Sequence, residues 1–454
     1  MLKAANWSPC SQNGIDIRYS EGLPLFLLSK RFHLSLVNKD KNYLWHPLTQ
    51  HKTASPPIGV VKAEGTLLFD EDGKSYIDGI ASWYTCMYGH GNQRIIDAMT
   101  KQMQELDFAM FSGFTHRPAV ELSEKLMEIL PKNQSKLFFN DNGSTAVEAA
   151  IKMALQYYHN KGEKRDTLVA FEDGFHGDTF GAMSASGLSS YNGPFEDFLL
   201  KVERIPVPKE GNIDEVLALL ESILQDNSCA AFVFEPLVQG AAGMKFHDAE
   251  GLDAIIKKFR EHDVLSIADE IMTGFGKTGK NFASNYLVNK PDIMCLGKAL
   301  TAGMFPMSIT SCSQKIFDGF LSEDVTKGFF HAHTFSAHPL GCAAALEGLQ
   351  LLQSEEMLEL RKQISDKHSQ FVNQISQHPK VSDARSKGVI FAMDLKVETD
   401  RYGNFRDELY QYFMGHGVNL RPLGNTIYTL PPYTIEDGQL QKIYDVMQKV
   451  LDWI

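Results

Sequence analysis

The sequence predicts an α/β protein with a mainly parallel sheet that is covered by helices on both faces. Short apolar segments in the middle of the chain are typical of buried strands: 135–141, 166–173, 230–238, 264–270 and 292–297. Apolar residues at helical spacing fill the intervals between them, as at 144–161 and 249–262. Because parallel strands need a crossover between them, this alternation favours parallel pairing with both faces buried.

The two ends of the chain differ from this alternating middle. A segment with helical periodicity, 92–108, precedes the first of these strands. After residue 340 the sequence predicts one long helix at 341–374, a strand pair around 388–395 and a last helix near 435–452. The C-terminal third is therefore expected to form a separate, smaller lobe.

Composition excludes several classes of function. The chain has 454 residues, of which 43% are hydrophobic and 22% charged, as in an ordinary globular protein with a large core. Its formal net charge of −12 argues against nucleic acid and anionic membranes as partners, since both need a basic face. No apolar run approaches the ~18 residues of a membrane-spanning helix.

The cysteines and the N-terminal segment bear on location. The six cysteines are Cys10, Cys86, Cys229, Cys295, Cys312 and Cys342. They form no CxxC pair, so we interpret them as reduced thiols of a cytoplasmic protein and expect no disulfide framework and no metal site. Residues 24–36 are apolar and mildly basic but lack the layout of a signal peptide, and we expect residues 1–42 to be a surface extension.

A phosphate site is predicted where the strand at 135–141 meets its helix. The turn NDNGST lies between them, and the first helical turn offers free N–H groups and the positive end of the helix dipole. Gly143 allows close approach of the backbone, and Ser144 adds a hydroxyl group. An ordinary helix cap that binds nothing has the same residues, and the spacing is not that of a P-loop.

Two further side chains lie at predicted strand ends. Phe175 is in the glycine-rich turn FEDGFHGDTFG, where it could stack on a planar ring or simply be a core residue. Asp269 closes the apolar strand VLSIAD, and a buried carboxylate is costly unless it is paired. Asp269 could equally cap the next turn, although ligands gather at strand ends in α/β sheets.

Lys298 follows the apolar strand DIMCLG, and it gives these residues a common interpretation. A lysine that is desolvated beside apolar walls has a lowered pKa and becomes a nucleophile. A lysine, a carboxylate, an aromatic ring and a phosphate cradle at the ends of strands in one sheet together describe a pocket for pyridoxal 5′-phosphate. Lys298 would form the Schiff base, Asp269 would hold the proton on the pyridine nitrogen, and Phe175 would stack on the ring.

The same residues resemble a known family. The order of the motifs NGSTAVE, FHGDTFG, EPLVQGAAG, ADEIMTGFGKTGK, GKALTAG and HTFSAHPLGCAAAL is similar to that of the class III pyridoxal-phosphate aminotransferases of fold type I. The resemblance covers the chain from about residue 43 onward. It implies a seven-stranded, mainly parallel sheet in a large cofactor-binding domain at 91–340. A smaller α+β domain would combine 43–90 with 341–454.

The resemblance also implies roles for residues that the sequence pattern alone does not single out. Gln239 would lie near the phenolic oxygen of the cofactor, and Arg421 would bind the carboxylate of a substrate. Trp83 and Tyr84 would line the substrate channel, together with Phe175. His333 and Thr334 would reach the phosphate in the partner subunit of a homodimer with shared active sites. Apolar neighbours of Arg421 and a tight turn after it further predict that its guanidinium faces an enclosed cleft.

This sequence departs from the family at four positions: Leu48, Tyr84, Phe175 and Lys277. The family has tyrosine at the first and third, often tryptophan at the second, and arginine at the fourth. The departures leave the cofactor chemistry intact. They are expected to lie where substrates are recognised.

Narrower stretches are similar to the branch of the family that acts in biotin biosynthesis: 45–50, 78–84, 111–122, 142–158, 175–184 and 417–433. The last of these is the most specific. This similarity implies 8-amino-7-oxononanoate as the amino acceptor and S-adenosyl-L-methionine as the donor, with lysine as the alternative donor. An aminotransferase of the same class for ω-amino acids or diamines, or a non-catalytic binding protein on this fold, are the competing interpretations.

Overall fold

A computed structural model describes residues 35–187, 192–400 and 403–454. Most of the expected N-terminal extension, with Cys10 and residues 24–34, lies outside the described residues. The chain divides into two compact units, Met1–Gly59 and Val60–Ile454. The described part of the first unit contains helix α1 (Leu36–Tyr43), whose N-terminus is capped by the Ser35 side chain.

The second unit contains the strands and the remaining helices of the described chain. Its strands are β1 (Val60–Glu64), β2 (Leu67–Asp70), β3 (Ser75–Asp78), β4 (Gln134–Asn140), β5 (Thr167–Phe171), β6 (Val202–Ile205), β7 (Cys229–Phe234), β8 (Val238–Gln239), β9 (Lys245–Phe246), β10 (Leu265–Asp269), β11 (Ile293–Leu296), β12 (Ser308–Ser313), β13 (Val381–Lys387), β14 (Ile390–Leu395), β15 (Val418–Asn419) and β16 (Thr426–Thr429).

The helices that follow α1 are α2 (Ala81–Tyr84), α3 (Gln93–Glu105), α4 (Arg117–Ile129), α5 (Gly143–Asn160), α6 (Phe180–Ala185), α7 (Ile213–Ile223), α8 (Ala249–Glu261), α9 (Gln314–Asp318), α10 (Pro339–Gln353), α11 (Glu355–Ile375), α12 (Asn404–Gly415) and α13 (Asp437–Trp453). α2 is a single turn with left-handed backbone, because all four of its residues have positive φ.

The central sheet confirms the predicted fold class. Among the described residues it has seven strands in the order β4-β12-β11-β10-β7-β5-β6. β12 runs antiparallel to both of its neighbours, and the other pairs are parallel. Every residue of β5, β7, β10 and β11 is buried, which explains why these strands are continuous apolar runs in the sequence. The sequence prediction missed β6 and β12.

Smaller sheets combine segments that are far apart in the sequence. One has the order β1-β2-β3-β15, so that β15 near the C-terminus pairs in parallel with β3. Another has the order β13-β14-β16 and contains the predicted strand pair. The two sheets fit a smaller α+β part built from both ends of the chain. The exact domain boundaries stay a prediction.

The prediction of one long helix at 341–374 is wrong. Ser354 is extended, with φ −67° and ψ 145°, and it separates α10 from α11. Its hydroxyl accepts a hydrogen bond from the N–H of Met357 at 3.3 Å. A serine followed by two glutamates is a helix start, since it caps the free N–H groups and places acidic side chains at the positive end of the dipole.

His368 joins three elements in the interior of the C-terminal region. Tyr444 on α13 donates its O–H to Nδ1 at 2.6 Å, and Nε2 donates to the carbonyl of Val389 at 3.1 Å. Burial lowers the pKa of His368 to about 3, although the bond to Val389 opposes this shift. The imidazole is therefore neutral in the folded protein, and both of its nitrogens are satisfied.

We expect His368 to make the folded state sensitive to acid. Its pKa is about 3 when folded and about 6.5 when unfolded, so the unfolded chain binds the extra proton between these values. The free energy of unfolding is therefore unaffected by His368 above about pH 6.5 and decreases as the pH falls below it, by about 2 kcal/mol at pH 5. Urea unfolding at several pH values measures this loss. In His368→Gln the free energy of unfolding should depend less on pH below 6.5, whether or not the variant is less stable at pH 7. If it depends on pH as steeply as in the wild type, His368 is not the group responsible.

Candidate active site

The predicted site residues gather at the carboxyl edge of the central sheet. Asp269 ends β10, Glu235 follows β7, and Lys298 lies two residues after β11. Gly143 begins α5, close after β4. Because these strands are parallel to one another, their ends meet at one edge of the sheet, and the side chains that follow them converge.

Asp269 and His176 form a buried pair. Asp269 is 4% exposed, and its Oδ2 accepts a hydrogen bond from Nδ1 of His176 at 2.8 Å. Its Oδ1 accepts from the N–H of Ile271 at 3.1 Å. The backbone N–H of His176 donates to the hydroxyl of Ser186 at 2.9 Å, which fixes the turn. His176 directly follows Phe175 in the same turn, but no role was predicted for it from the sequence.

The start of α5 is the segment for which a phosphate cradle was predicted. Asn142 caps the helix through the N–H of Thr145, so the N–H groups of Gly143 and Ser144 lie in the first turn ahead of it. The hydroxyl of Ser144 accepts the N–H of Thr179 at 3.0 Å and lies 2.8 Å from the Thr179 hydroxyl. Nearby Gly177 has φ +127°, and a Cβ there would lie 2.3 Å from Oγ of Ser144. The backbone of the Phe175 turn thus packs directly against the cradle.

Glu148 connects the cradle to the same turn and was not predicted. Its carboxylate accepts hydrogen bonds from the hydroxyl of Thr179 at 3.1 Å and from the N–H groups of Gly181 and Ala182 at 3.2 and 3.0 Å. It lies on α5 one turn after Ser144, so one helix positions both sides of the cradle. The motif NGSTAVE contains Glu148, but a glutamate on a helix gives no sign in the sequence of the loop that it will hold.

Lys298 has the environment of a reactive amine. It starts a short 3-10 turn with φ +48°, a left-handed conformation that costs energy for a residue with a side chain. Its Nζ lies 5.3 Å from the centre of the Tyr84 ring. Burial lowers the pKa of the amine, while Asp269 and Glu235 oppose that shift. A larger fraction of the amine is therefore neutral and nucleophilic at neutral pH.

Glu235 accepts hydrogen bonds from the backbone at Phe175 and at Gly240, the residue after Gln239. Phe175 is 43% exposed, so it is not a core residue, and its N–H donates to Glu235 at 3.0 Å. The other carboxylate oxygen of Glu235 accepts the N–H of Gly240 at 2.9 Å, next to Gln239. Burial raises the pKa of Glu235 to about 7, with Asp269 contributing and the charge of His176 opposing. Glu235 was not predicted from the sequence. It follows the apolar run AAFVF, much as Asp269 ends the apolar run of β10.

The predicted substrate residues Trp83, Tyr84 and Arg421 form a continuous group. The Tyr84 hydroxyl donates to the hydroxyl of Tyr428 at 2.7 Å, and the guanidinium of Arg421 lies 5.0 Å from the Trp83 ring centre. The left-handed turn of α2 carries both Trp83 and Tyr84. Backbone strain of this kind is found mainly at functional sites, where the surrounding structure holds it.

The expectation of an enclosed cleft around Arg421 is wrong for this chain. The turn after it is tight, since Leu423 and Thr426 exchange backbone hydrogen bonds of 2.9 and 3.0 Å. The neighbouring residues Leu420 and Tyr428 are buried, but Arg421 itself is exposed. The physical reason is that the guanidinium lies over the exposed Trp83 ring, where it stays hydrated.

The remaining predicted residues are placed as follows. His333 is partly buried and Thr334 is exposed, in the segment that leads to α10. Their role toward a partner subunit stays a prediction, as does the role of Leu48, which lies in the first unit. Lys277 is fully buried, and its ammonium donates to the carbonyl of Gly274 at 3.0 Å. Its expected part in substrate recognition stays a prediction. Burial, with the charge of Lys298 adding, lowers the pKa of Lys277 to about 7.

These residues fit pyridoxal 5′-phosphate. Gln239 is 1% exposed, and its two amide atoms have no hydrogen-bond partner within the described chain. The same is true of Nε2 of His176 and Nε2 of His333. Buried polar atoms without partners are costly, and a polar ligand would satisfy them. An amine, a buried carboxylate and a helix N-terminus with a hydroxyl are the groups that this cofactor requires.

Comparison with known proteins defines the family. The profile of the family Aminotransferase class-III matches residues 49–451. An adenosylmethionine-8-amino-7-oxononanoate aminotransferase from Synechococcus elongatus is 42% identical over 424 residues, which are 91% of this chain and 99% of the relative. The chain therefore belongs to the class III aminotransferases, and it is an aminotransferase that uses pyridoxal phosphate.

Solved structures agree with this assignment. The crystal structure of an adenosylmethionine-8-amino-7-oxononanoate aminotransferase from Methanocaldococcus jannaschii superimposes with a TM-score of 0.87 at 31% identity, covering 92% of this chain and 98% of that one. An amine transaminase from an uncultivated Pseudomonas species, in its PLP-bound form, gives a TM-score of 0.84 at 26% identity, with 90% and 98% coverage.

Two other features, a membrane-spanning helix and a metal-binding cluster, are absent from the described residues. None of the described helices combines the length and the apolar character needed to cross a membrane. Within residues 35–187, 192–400 and 403–454, no group of three or more His, Cys, Asp or Glu side chains is arranged to hold a metal ion.

Gly177→Ala should weaken cofactor binding. The new Cβ would collide with Ser144, and φ +127° disfavours any residue with a side chain, so the hydroxyl must leave the cradle. We expect the dissociation constant for pyridoxal phosphate, measured by absorbance titration of the apoprotein, to rise roughly tenfold or more, as for the loss of a charge-assisted hydrogen bond. Gly193→Ala is the control, because a Cβ there meets nothing within 4 Å. Equal affinities in the two variants would contradict a phosphate site at Ser144.

Proposed function

We propose that this enzyme transfers an amino group from S-adenosyl-L-methionine to 8-amino-7-oxononanoate, giving 7,8-diaminononanoate for biotin synthesis. The carrying observation is the aromatic wall of Trp83, Tyr84 and Tyr428, which has the amine of Lys298 at one end and the guanidinium of Arg421 at the other. The acceptor has a ketone and a carboxylate at opposite ends of an aliphatic chain. The names of the relatives from Synechococcus elongatus and Methanocaldococcus jannaschii support the same acceptor.

The side chains at the sheet edge have separate tasks in this reaction. Pyridoxal phosphate, when bound, supplies the electron sink that makes the α-hydrogen of the donor acidic. Lys298 would hold the cofactor, and its amine would move the proton from the α-carbon of the donor, for which its lowered pKa suits it. Asp269 keeps the pyridine nitrogen protonated, and His176 holds the carboxylate in place. Asp269 and His176 are both buried, and the low dielectric constant around them strengthens their interaction.

Binding and orientation fall to the other residues. Gly143 and Ser144 would hold the phosphate through N–H and hydroxyl donors. Phe175 would cover one face of the ring by stacking alone, because it lacks a hydroxyl group. Gln239 would hydrogen-bond the phenolic oxygen with an amide that otherwise has no partner in the described chain. Arg421 would bind the carboxylate of 8-amino-7-oxononanoate with paired hydrogen bonds.

We further propose a cytoplasmic homodimer with shared active sites. Large apolar side chains are exposed around the segment that carries His333 and Thr334, including Phe330 at 74% and Phe335 at 56%. A monomer rarely exposes such a cluster. In the dimer the partner subunit's Thr334 would reach the phosphate. The five described cysteines are free thiols, in keeping with a reducing compartment.

The dimer proposal is tested by sedimentation. At micromolar concentration the enzyme should sediment as a dimer, and Phe330→Glu should shift it toward monomer and lower activity, because a charge would be buried in the interface. Val288→Glu is the matched control, since Val288 is also an exposed apolar residue at 84% and lies on another loop. An active wild-type monomer would rule out shared sites.

One other amino donor and one other class of substrate are compatible with the same site. Lysine could replace S-adenosyl-L-methionine as donor, because the described residues give no contact specific to either. An ω-amino acid or diamine could replace both substrates, and the likeness to an amine transaminase structure favours this second candidate. A non-catalytic binding protein would not need Lys298 and Asp269 in their present arrangement. Mixing the enzyme with each donor and following the absorbance of the bound cofactor separates these possibilities.

Borohydride reduction should attach pyridoxal phosphate to Lys298. Lys277 is the informative competitor, because its amine has a pKa of about 7 and lies within electrostatic reach of Lys298. Peptide mapping of the reduced protein should find the cofactor on Lys298, and Lys298→Ala should abolish labelling while Lys277→Arg keeps it. A label on Lys277, or none on freshly reconstituted enzyme, would remove the basis of the assignment.

Arg421→Ala tests the acceptor. Losing a bidentate carboxylate contact should raise the apparent KM for 8-amino-7-oxononanoate roughly tenfold or more, since charged hydrogen bonds contribute about 1.5–3 kcal/mol. The two half-reactions are measured separately, and the half-reaction with the donor should change less. Arg421→Lys keeps the charge but not the planar fork and should be intermediate. If acceptor kinetics in Arg421→Ala match the wild type, the carboxylate is bound elsewhere.

A further inference from the structure

A buried carboxylate joins two segments of the proposed substrate site, and the cofactor chemistry does not use it. Asp78 ends β3 and is fully buried. Its Oδ2 accepts hydrogen bonds from the hydroxyl of Ser82 at 2.7 Å and from Nε2 of His90 at 2.9 Å. Its Oδ1 accepts from the side-chain amide of Asn419 at 3.3 Å. The two oxygens therefore bind segments that lie far apart in the sequence.

These segments carry the residues that we propose to bind the acceptor. Ser82 directly precedes Trp83 in α2, and Asn419 lies two residues before Arg421. The guanidinium of Arg421 lies 5.0 Å from the centre of the Trp83 ring. Asp78 thus holds one residue on each side of the contact between Trp83 and Arg421.

The α2 segment needs such support because its backbone is strained. Ala81, Ser82, Trp83 and Tyr84 all have a positive φ, between +45° and +72°. This left-handed conformation is unfavourable for residues with a side chain, and it persists only where the surrounding structure holds it. The hydrogen bond from Ser82 to Asp78 is one of the contacts that hold it.

The Asn419 segment is pressed against the residue that follows Asp78. The N–H of Gly79 donates to the carbonyl of Asn419 at 3.1 Å. A Cβ at Gly79 would lie 2.6 Å from Cδ2 of Leu420, so the two backbones are in close approach. A displacement at the end of β3 would therefore also displace the segment that leads to Arg421.

Asp78 makes these contacts as an ionised carboxylate. Burial would raise the pKa of Asp78, but the hydrogen bonds from His90 and Ser82 outweigh burial and lower that pKa. Hydrogen bonds to an ionised acceptor are stronger than those between neutral groups. The carboxylate is therefore a firm link between the two segments.

We propose that Asp78 is a positioning residue that fixes the distance between the aromatic wall and Arg421 and so selects the length of the acceptor. The inference rests on the proposed function, in which the ketone lies near Lys298 and the carboxylate is bound by Arg421. An acceptor of one length fits both ends only if the wall and the guanidinium are held relative to each other. Loosening this link should weaken acceptor binding and length selection more than it slows the chemistry.

The kinetic test is the half-reaction of the pyridoxamine form of the enzyme with 8-amino-7-oxononanoate. Ser82→Ala and Asn419→Ala should each raise the half-saturation concentration roughly fivefold, as for the partial loss of a hydrogen bond to a charged group. The limiting rate should stay close to that of the wild type, because Lys298 and Asp269 keep their own contacts. Each variant should also lose part of the preference over 7-amino-6-oxooctanoate, which is one methylene shorter.

The double variant tests whether the two residues act through one link. Either substitution alone breaks the connection, so the double variant should exceed the stronger single variant by less than about twofold, as expected for coupled residues. Ser123→Ala is the control, because the Ser123 hydroxyl also donates to a protein oxygen, the carbonyl of Ala119 at 2.7 Å, but lies on α4. It should leave the half-saturation concentration unchanged.

A measurement without substrate tests the same link when the acceptor is not assumed. After Trp7→Phe, Trp45→Phe and Trp453→Phe, Trp83 is the single tryptophan of the chain. Acrylamide quenching of its fluorescence in the cofactor-loaded enzyme should increase in Asn419→Ala, because the Arg421 guanidinium moves away from the ring.

The outcomes separate this inference from the proposed function. Unchanged quenching in Asn419→Ala overturns the link through Asp78, whatever the acceptor is. Effects that multiply in the double variant, or an unchanged preference between the two acceptors, also overturn it. If quenching increases but the wild type does not use 8-amino-7-oxononanoate, the proposed function fails while positioning by Asp78 is supported.

Discussion

A carboxylate buried at the end of an apolar strand imposes the central constraint on this fold. Strand β10 lies in the middle of the sheet, and Asp269 has almost no contact with water. Such a charge is destabilising by several kcal/mol unless donors surround it. His176 and the N–H of Ile271 provide them, which ties the turn after β5 to the end of β10. The position of Phe175 then follows, because it is the residue before His176 in that turn.

A second carboxylate fixes the other side of the same turn. Glu148 on α5 holds Thr179, Gly181 and Ala182, and Thr179 in turn holds Ser144. The helix that offers its N-terminus to a phosphate therefore also determines where the aromatic residue and the histidine lie. The proposed phosphate cradle, Phe175 and Asp269 are coupled through these hydrogen bonds within the chain itself, and preorganisation of this kind reduces the entropy lost on binding.

The sequence was informative where an apolar strand ended in a polar residue. Asp269 and Lys298 were found in this way, and Glu235 could have been. Strand β12 was missed because four of the six residues in its sequence SITSCS bear hydroxyl groups, yet every residue is buried. Two of these hydroxyl groups have partners far away in the sequence: Thr310 donates to the carbonyl of Ala146 on α5 at 2.8 Å, and Ser311 donates to Gln134 on β4 at 2.7 Å. Such partners are distant in sequence, so hydropathy does not reveal them. The exposure of Arg421 likewise depends on Trp83, which no local pattern links to it.

A second lysine, Lys277, lies near Lys298 and has its charge limited by burial and by Lys298. Lys277 is enclosed and has a carbonyl rather than a carboxylate as its hydrogen-bond partner, and Lys298 lies close enough to repel it. With a pKa of about 7, Lys277 is charged in only about half of the molecules at neutral pH. An arginine, which the family has at this position, would keep its charge at any physiological pH. The lysine at 277 therefore carries a positive charge that depends on pH near neutrality, and the negative charge of Glu235, whose pKa is raised to about 7, depends on pH in the same range. At Lys298 itself, burial lowers the pKa of the amine, and the negative charges of Asp269 and Glu235 oppose that shift, so these two carboxylates control how readily the amine loses its proton.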